Sequence, residues 1–171
     1  DRFNVFCHYT ITAYGKDVEP NVPDIDQSIG TLVELSAKVG SRRIAWRYDP
    51  VLLTEKYTVD YHLKMFDYMA SHLAPYVNFC VFSFVEMYKR LEYNMPELIP
   101  LTDRDKEKLA EGMGAIARKY GLHLQTCGTS ENYSRYGIVV SGCMTTANLG
   151  NALGCRFKNI AHKGTRIGCS C

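Results

Sequence analysis

Short apolar runs rich in β-branched and aromatic residues alternate with longer amphipathic stretches along this chain of 171 residues. The short runs predict strands over residues 3–12, 43–48, 77–84 and 122–126. The longer stretches repeat apolar residues every three to four positions and predict helices over residues 24–39, 58–72 and 102–120, with a shorter helical piece at 86–92. Strands that alternate with helices of this length are typical of a parallel sheet with right-handed crossovers.

Residues that favour helix ends support these boundaries. Asp24 is a predicted N-cap for the first helix, and Gly40 is a predicted C-terminal stop. Thr102 begins the last long helix, which has acidic residues in its first turn and basic residues before Gly121. Beyond residue 129 the pattern weakens, and we expect only a short strand at 137–140 and a short helix at 146–153.

Two architectures fit a parallel sheet of this kind, a (β/α) barrel and an open doubly wound sheet. No glycine-rich phosphate loop follows any of the four predicted strands, which disfavours the nucleotide-binding doubly wound fold. Four strand–helix units are half of an eight-stranded barrel, and the first residues read as the interior of a fold. We therefore predict the C-terminal half of a partial TIM-like barrel. Residues 1–171 would form a single α/β domain, a fragment of a longer protein, with an irregular cysteine-containing tail at 129–171.

Composition excludes some classes of protein. Twenty Lys and Arg residues against 18 Asp and Glu residues give a formal net charge of +2, which disfavours a general nucleic-acid surface. No apolar run approaches the ~20 residues of a membrane-spanning helix. The seven cysteines are odd in number, and two lie within predicted strands, so a secreted disulfide framework is disfavoured. We expect a cytoplasmic protein that acts on a small molecule, and the sequence does not indicate its oligomeric state.

Arg47 and Asp49 are the sharpest pair of candidate functional residues. They lie two positions apart at the end of a predicted strand, so their side chains point to the same face. Reactive groups in parallel α/β folds gather at this end of the strands. An arginine turned inward is costly unless it pairs with a carboxylate or an anionic ligand. Arg47 is therefore predicted either to bind a carboxylate or phosphate beside Asp49, or to form an internal salt bridge with it.

The other predicted strands end in further candidates. His8 and Cys127 are candidate catalytic residues alongside Asp49, although a hydrogen-bonded core histidine and a buried thiol are the alternatives. Predicted cavity-lining residues that would contact a cofactor or substrate beside Arg47 are Thr10, Thr12 and Ser83.

Four late cysteines suggest a metal. Cys143, Cys155, Cys169 and Cys171 lie in the glycine- and threonine-rich sequence that follows the regular repeats. Their thiolates could bind zinc or an iron–sulfur cluster. The C-x-C spacing at the end matches neither a standard zinc motif nor a standard cluster motif, so metal-free cysteines remain the alternative.

The segments TITAYGKDVEPNVP, RRIAWRYDPVLLTEKYT, CVFSFVEMYKR, KYGLHLQTC and GCSC occur here in this order. Their order resembles that of a family of uncharacterised bacterial proteins, the domain-of-unknown-function family 1848, over essentially the whole chain. The resemblance implies a longer protein that continues into a C-x-x-x-C-x-x-C motif similar to that of radical S-adenosylmethionine enzymes such as spore photoproduct lyase. Those enzymes are partial or full (β/α) barrels that hold a [4Fe-4S] cluster on three cysteines.

Three hypotheses follow. The first is an iron–sulfur, radical S-adenosylmethionine-like enzyme of unknown substrate, in which Arg47 and Asp49 contact the cofactor or the substrate. The second is a binding protein whose barrel is stapled by zinc on the four late cysteines. The third is a metal-independent hydrolase or lyase that uses His8 and Asp49.

Overall fold

Five parallel strands form one sheet in the computed structural model, which describes residues 3–129 and 131–158. The strands are β1 (Cys7–Thr10), β2 (Ile44–Val51), β3 (Phe79–Phe84), β4 (Leu124–Thr126) and β5 (Val139–Val140). The helices are α1 (Ile25–Val39), α2 (Val59–Leu73), α3 (Lys89–Asn94), α4 (Asp103–Tyr120) and α5 (Thr146–Leu153). The predicted alternation of parallel strands with helices is confirmed.

The strand order in the sheet is the same as the order in the chain, β1-β2-β3-β4-β5. A doubly wound sheet reverses direction at a switch point, and the five described strands contain no such reversal. The sheet is open, with β1 and β5 at its two edges. The structure therefore shows a mixed α/β fold with a parallel sheet, and it does not show a closed TIM barrel.

One face of the sheet carries the main core. Trp46 and Tyr48 of β2 are buried on this face, and the Trp46 ring stacks on Phe66 of α2 at 5.1 Å between centroids. Helix α2 packs between α1 and α4. Because crossovers place the helices on this side of the sheet, the strand residues of alternate parity become fully buried.

A buried histidine lies within this core. The hydroxyl of Tyr48 lies 2.7 Å from Nδ1 of His62, and Nε2 of His62 lies 2.8 Å from the carbonyl oxygen of Leu52. Tyr48 donates to Nδ1 and Nε2–H donates to the carbonyl, which fixes one tautomer of a neutral ring. Burial lowers the pKa of His62 to about 4. His62 is therefore a packed and hydrogen-bonded core residue.

The helix-end signals act much as expected. Thr102 and Asp105 form a reciprocal capping box at the start of α4, and Gly121 ends that helix at φ 65°, in the left-handed region that favours glycine. Asp24 precedes α1, but its side chain makes no capping hydrogen bond. Helix α5 spans the predicted residues, and the short strand β5 lies within residues 137–140.

Strand β1 is shorter than predicted. The apolar pattern favoured residues 3–12, whereas the strand spans Cys7–Thr10. As an edge strand, β1 pairs with β2 alone, and β2 begins at Ile44 opposite Cys7. The start of the strand is therefore set by the start of its partner. None of the helices within residues 3–129 and 131–158 is long and apolar enough to cross a membrane.

Candidate binding site on the open face of the sheet

The second face of the sheet is called here the open face. A separate buried cluster on this face consists of Ala45, Phe79, Val81 and Cys127, with Phe6 and Cys143 packed against it. No residue of a described helix belongs to this cluster. Side chains of this parity along β2 and β3 therefore belong to a buried cluster to which the described helices contribute no residue.

Register aligns residues of four strands in one row on the open face, and three of these residues are polar. Arg47 pairs with Thr10 of β1 on one side and with Val81 of β3 on the other, and Val81 pairs with Gln125 of β4. Residues paired in a parallel sheet project to the same side. Thr10 is exposed at the edge of this row, and Gln125 is buried.

Arg47, Asp49 and Ser83 form the centre of the candidate site. Nη2 of Arg47 donates to Oδ2 of Asp49, and the hydroxyl of Ser83 donates to Oδ1 of the same carboxylate. The Asp49 side chain is only 10 % exposed, whereas that of Arg47 is 34 % exposed. Nε of Arg47 is buried and has no hydrogen-bond partner among the described residues. The salt bridge, one of the two predicted alternatives, is thus present, and the buried Nε–H donor of Arg47 takes no part in it.

His8 lies on the same face. Its ring makes edge-to-face contacts with Phe6 at 5.3 Å and with Phe79 at 6.2 Å between centroids. Nε2 of His8 is buried without a partner in the described parts of the chain. Burial, and next the positive charge of Arg47, lower the pKa of His8 below its ordinary value of 6.5. His8 is therefore a neutral imidazole at neutral pH, with one ring nitrogen available.

The end of β4 contributes a buried amide and a buried thiol. Nε2 of Gln125 donates to the carbonyl oxygen of Gly142 at 3.0 Å, which ties β4 to the loop after β5. Cys127 is 4 % exposed, and its backbone N–H donates to the carbonyl of Phe82. Cys127 lies in the apolar cluster of the open face, so the structure places it beside the site as a buried thiol. Its catalytic role stays a prediction.

Thr12 occupies a different environment from His8 and Thr10. It lies two residues beyond the end of β1, so the predicted strand over residues 3–12 does not extend to it. The Thr12 hydroxyl donates to Glu19 in the loop before α1. Sequence reasoning did not single out Glu19, and nothing in its local pattern distinguishes it from a solvated loop acid.

The candidate metal ligands are only partly described. Cys143 packs against the open-face cluster, whereas Cys155 is exposed just after α5. Within residues 3–129 and 131–158, no group of three or more His, Cys, Asp or Glu residues is arranged to hold a metal ion. Cys169 and Cys171 lie outside the described residues. The four-cysteine metal site stays a prediction.

Hydrogen bonds from tyrosine hydroxyls, which the sequence did not reveal, connect the loops at the carboxyl ends of β1 and β2. The hydroxyl of Tyr57 donates to Asp17 at 2.7 Å and accepts from the N–H of Gly15 at 2.8 Å. The hydroxyl of Tyr14 donates to the Pro50 carbonyl at 2.7 Å, which anchors the chain directly after Asp49. The hydrogen bond from Tyr57, followed by that from Lys56, lowers the pKa of Asp17. These contacts join the loops that follow β1 and β2.

The sequence of this chain matches a known protein family. The model of the family described as Domain of unknown function (DUF1848) matches residues 1–171. This chain belongs to that family. No curated protein and no solved structure matches the chain. The description of the DUF1848 family names no activity, and the residues of the open face are the evidence for function.

Proposed function

We propose that this DUF1848 chain is the binding half of a radical S-adenosylmethionine-like enzyme and that the open face of its sheet holds a small molecule. In this proposal, the open sheet is part of a (β/α) barrel. The strand order without reversal supports a barrel, because a barrel adds its strands in sequence. Arg47, Asp49 and Ser83 project from neighbouring strands on one face, toward the carboxyl ends, where such enzymes bind their ligands.

The buried Nε of Arg47 carries the proposal. A guanidinium group has five N–H donors and no acceptor, so a buried donor without a partner is a cost to the fold. Asp49 holds the guanidinium group in place through Nη2 and leaves Nε for another acceptor. A carboxylate or phosphate oxygen of a ligand would supply that acceptor. Arg47 then binds the ligand, and Asp49 positions Arg47.

Asp49 has capacity to bind the ligand as well. An ionised carboxylate can accept about four hydrogen bonds, and two positions on Asp49 are filled by Arg47 and Ser83. The remaining lone pairs can accept from a hydroxyl group of the ligand. A pair of one anion-binding donor and one hydroxyl-binding acceptor suits a molecule that has both a carboxylate and sugar hydroxyls.

S-adenosylmethionine has both groups, and Arg47 and Asp49 of the open face match them. Its amino-acid carboxylate would bind Arg47, and its ribose hydroxyls would bind Asp49. When bound beside a [4Fe-4S] cluster, it supplies one-electron chemistry to a substrate. The described residues do not fit the cluster itself, because they include no group of three candidate ligands. Thus only Arg47 and Asp49 support the cofactor.

A metal-independent hydrolase or lyase is the second candidate, favoured by the neutral state of His8. Its buried Nε2 has no described partner, and the low pKa of His8 keeps the ring unprotonated at neutral pH. An imidazole in that state can accept a proton from a substrate. In this candidate function, His8 is the general base, and Asp49 orients the substrate through the remaining lone pairs of its carboxylate.

Calorimetric titration of the chain with S-adenosylmethionine tests the leading proposal. Replacing Arg47 with Ala should weaken binding by about 10- to 100-fold, since a charged hydrogen bond contributes roughly 1.5–3 kcal/mol. The matched control is Arg104→Ala on the exposed surface of α4, which should bind as the unmodified chain does. Equal affinity of the Arg47→Ala protein and the unmodified protein would refute the assignment.

Anaerobic iron and sulfide analysis with electron paramagnetic resonance tests the cluster separately. A [4Fe-4S] signal that changes when S-adenosylmethionine is added supports the radical enzyme. Zinc as the only metal supports the zinc-stapled alternative. Turnover that survives chelators and requires His8 supports the hydrolase or lyase.

A further inference from the structure

Two buried nitrogen atoms without a described partner lie on neighbouring strands of the open face. One is Nε2 of His8 on β1, and the other is Nε of Arg47 on β2. Most buried polar atoms in proteins are hydrogen-bonded, so a single orphan is already unusual. Two orphans on one face indicate a shared partner that both atoms can bind.

The register of the sheet makes a shared partner feasible. His8 pairs with Ala45, and Arg47 lies two residues further along β2 on the same face. Strand spacing of ~4.8 Å and a rise of ~3.3 Å per residue place the two Cβ atoms about 8 Å apart. Both side chains are long enough to reach a group between them. The rings of Phe6 and Phe79 flank the imidazole of His8 and restrict its rotation.

The charges around His8 favour an anion. Along β2, the charged groups on this face are Arg47 and Asp49, and the carboxylate of Asp49 already accepts from Arg47 and Ser83. The residue of β3 nearest His8 is Phe79, which carries no charge. The titratable groups further along the sheet are the buried thiol of Cys127 and the exposed His123, just before β4. Arg47 is therefore the main charge acting on His8.

We infer that His8 and Arg47 form an anion subsite in which a carboxylate or phosphate oxygen of the ligand accepts from Arg47 Nε–H and His8 Nε2–H, and that His8 takes up one proton from solvent as the anion binds. The inference rests on the proposed function in one respect, that the open face binds a small molecule. It adds a second donor to Arg47 and makes His8 a binding residue.

Proton uptake follows from the electrostatics. Without a ligand, burial and the charge of Arg47 lower the pKa of His8, so the ring is neutral. An anion between the two side chains offsets the charge of Arg47 and favours the imidazolium form. By linkage, an anion that raises the pKa of His8 binds more tightly as the pH falls. A rise of one pKa unit corresponds to about tenfold in affinity once the pH lies below both pKa values, and to a smaller change above them.

The test titrates the intact chain with two simple probes. The NMR signals of the imidazole rings monitor binding, and chloride keeps the ionic strength constant. Sodium sulfate represents a phosphate group, and sodium acetate represents a carboxylate. Both probes keep their charge between pH 6 and pH 8, so a change in affinity reports the protein. We expect one of them to saturate with a shift of the His8 signal, a higher His8 pKa, and severalfold tighter binding at pH 6 than at pH 8.

Variants separate binding from protonation. His8→Gln keeps an N–H donor near the position of Nε2 but cannot titrate, so it should retain binding and lose the pH dependence. Arg47→Met should lose binding. His72, exposed on α2, is the internal control, and its signal should respond no more to the probes than to chloride. The same pH dependence in the His8→Gln protein would overturn the inference, as would probes that leave the His8 signal unchanged.

The outcomes distinguish this inference from the proposed function. If S-adenosylmethionine binds through Arg47 but neither probe shifts His8, the anion subsite is wrong and the enzyme assignment stands. If a probe protonates His8 while S-adenosylmethionine does not bind, the subsite stands and the radical-enzyme assignment is wrong. The probe that binds then identifies the ligand as a phosphate or a carboxylate.

Discussion

The hydroxyl of Ser83 on β3 donates to the carboxylate of Asp49 on β2, and this bond joins two strands at the centre of the candidate site. The other oxygen of the carboxylate accepts from Arg47. Asp49 is therefore held from both sides while only 10 % of its side chain is exposed. The position of the Arg47 guanidinium group depends on an aspartate that a neighbouring strand keeps in place.

Replacing Ser83 with Ala should lower the free energy of unfolding by about 2 kcal/mol, because it removes a donor from a nearly buried carboxylate. Urea denaturation measures the change. Ser71→Ala is the matched control, since the Ser71 hydroxyl donates to the Tyr68 carbonyl on the exposed side of α2, and its effect should stay within about 0.5 kcal/mol.

A double-mutant cycle shows whether the effect comes from the bond to Asp49. In an Asp49→Asn background, the cost of Ser83→Ala should shrink, because the charged acceptor is already gone. An equal cost in both backgrounds would mean that Ser83 stabilises the sheet by some other contact.

Because of His62, acid should destabilise the fold at pH values well above those at which carboxylates titrate. Its folded pKa of about 4 lies below the ordinary value of 6.5, so between these values the unfolded chain binds more protons than the folded one. Stability contributed by neutral His62 is present above pH 6.5 and is lost as the pH falls toward 4. Linkage predicts a loss of about 2 kcal/mol between pH 7.5 and pH 5.

The measurement is the free energy of unfolding across this pH range. His62→Gln removes the titrating ring and keeps a donor for the Leu52 carbonyl, so most of the pH dependence should disappear. His8, with its own lowered pKa, accounts for a smaller remaining slope of the same sign. An NMR signal of His62 that titrates near pH 6.5 in the folded protein would contradict the prediction.

Replacing each of two helical glycines with alanine should change the free energy of unfolding in opposite directions. A Cβ atom on Gly114 of α4 would lie 2.4 Å from the carbonyl oxygen of Tyr136, a backbone atom that cannot move without displacing its turn. Gly114→Ala should therefore destabilise the protein by more than about 1 kcal/mol. A Cβ atom on Gly30 of α1 meets nothing within 4 Å, so Gly30→Ala should stabilise it by about 0.5–1 kcal/mol.

Thermal and urea midpoints of the two variants provide the comparison. Equal shifts for both variants would show that helix propensity alone decides the outcome. The turn at Tyr136 would then move enough to accommodate a Cβ atom on Gly114.

The long helices were predictable because their signals are local. Each of α1, α2 and α4 carries its own apolar period, and α4 also has the end residues Thr102 and Gly121. The observed ends of these helices agree closely with the predicted ones. Strand β1 was overestimated, since the length of an edge strand depends on where its partner begins. The alternation along β2 also placed Arg47 and Asp49 on one face before any tertiary contact was known.

The partners of these residues depend on contacts distant in sequence. The bond from Ser83 to Asp49 crosses strands whose register shifts between Tyr48 and Val51, and no local pattern specifies such a shift. His8 was a candidate by its position on a strand, but its contacts with Phe6 and Phe79 and its closeness to Arg47 come from the packing of three strands. Thr12 was a candidate because the predicted strand ran to residue 12, whereas β1 ends at Thr10.

The sequence by itself thus determined the alternating elements, the parallel sheet and the shared face of Arg47 and Asp49, since each depends on backbone periodicity within a few residues. Only the tertiary structure decided that the sheet is open, that Ser83 anchors Asp49, and that buried nitrogens of His8 and Arg47 lie on adjacent strands without a described partner. Those features depend on strand register and on which buried side chains lie opposite the face that carries the helices, and both are properties of the assembled sheet.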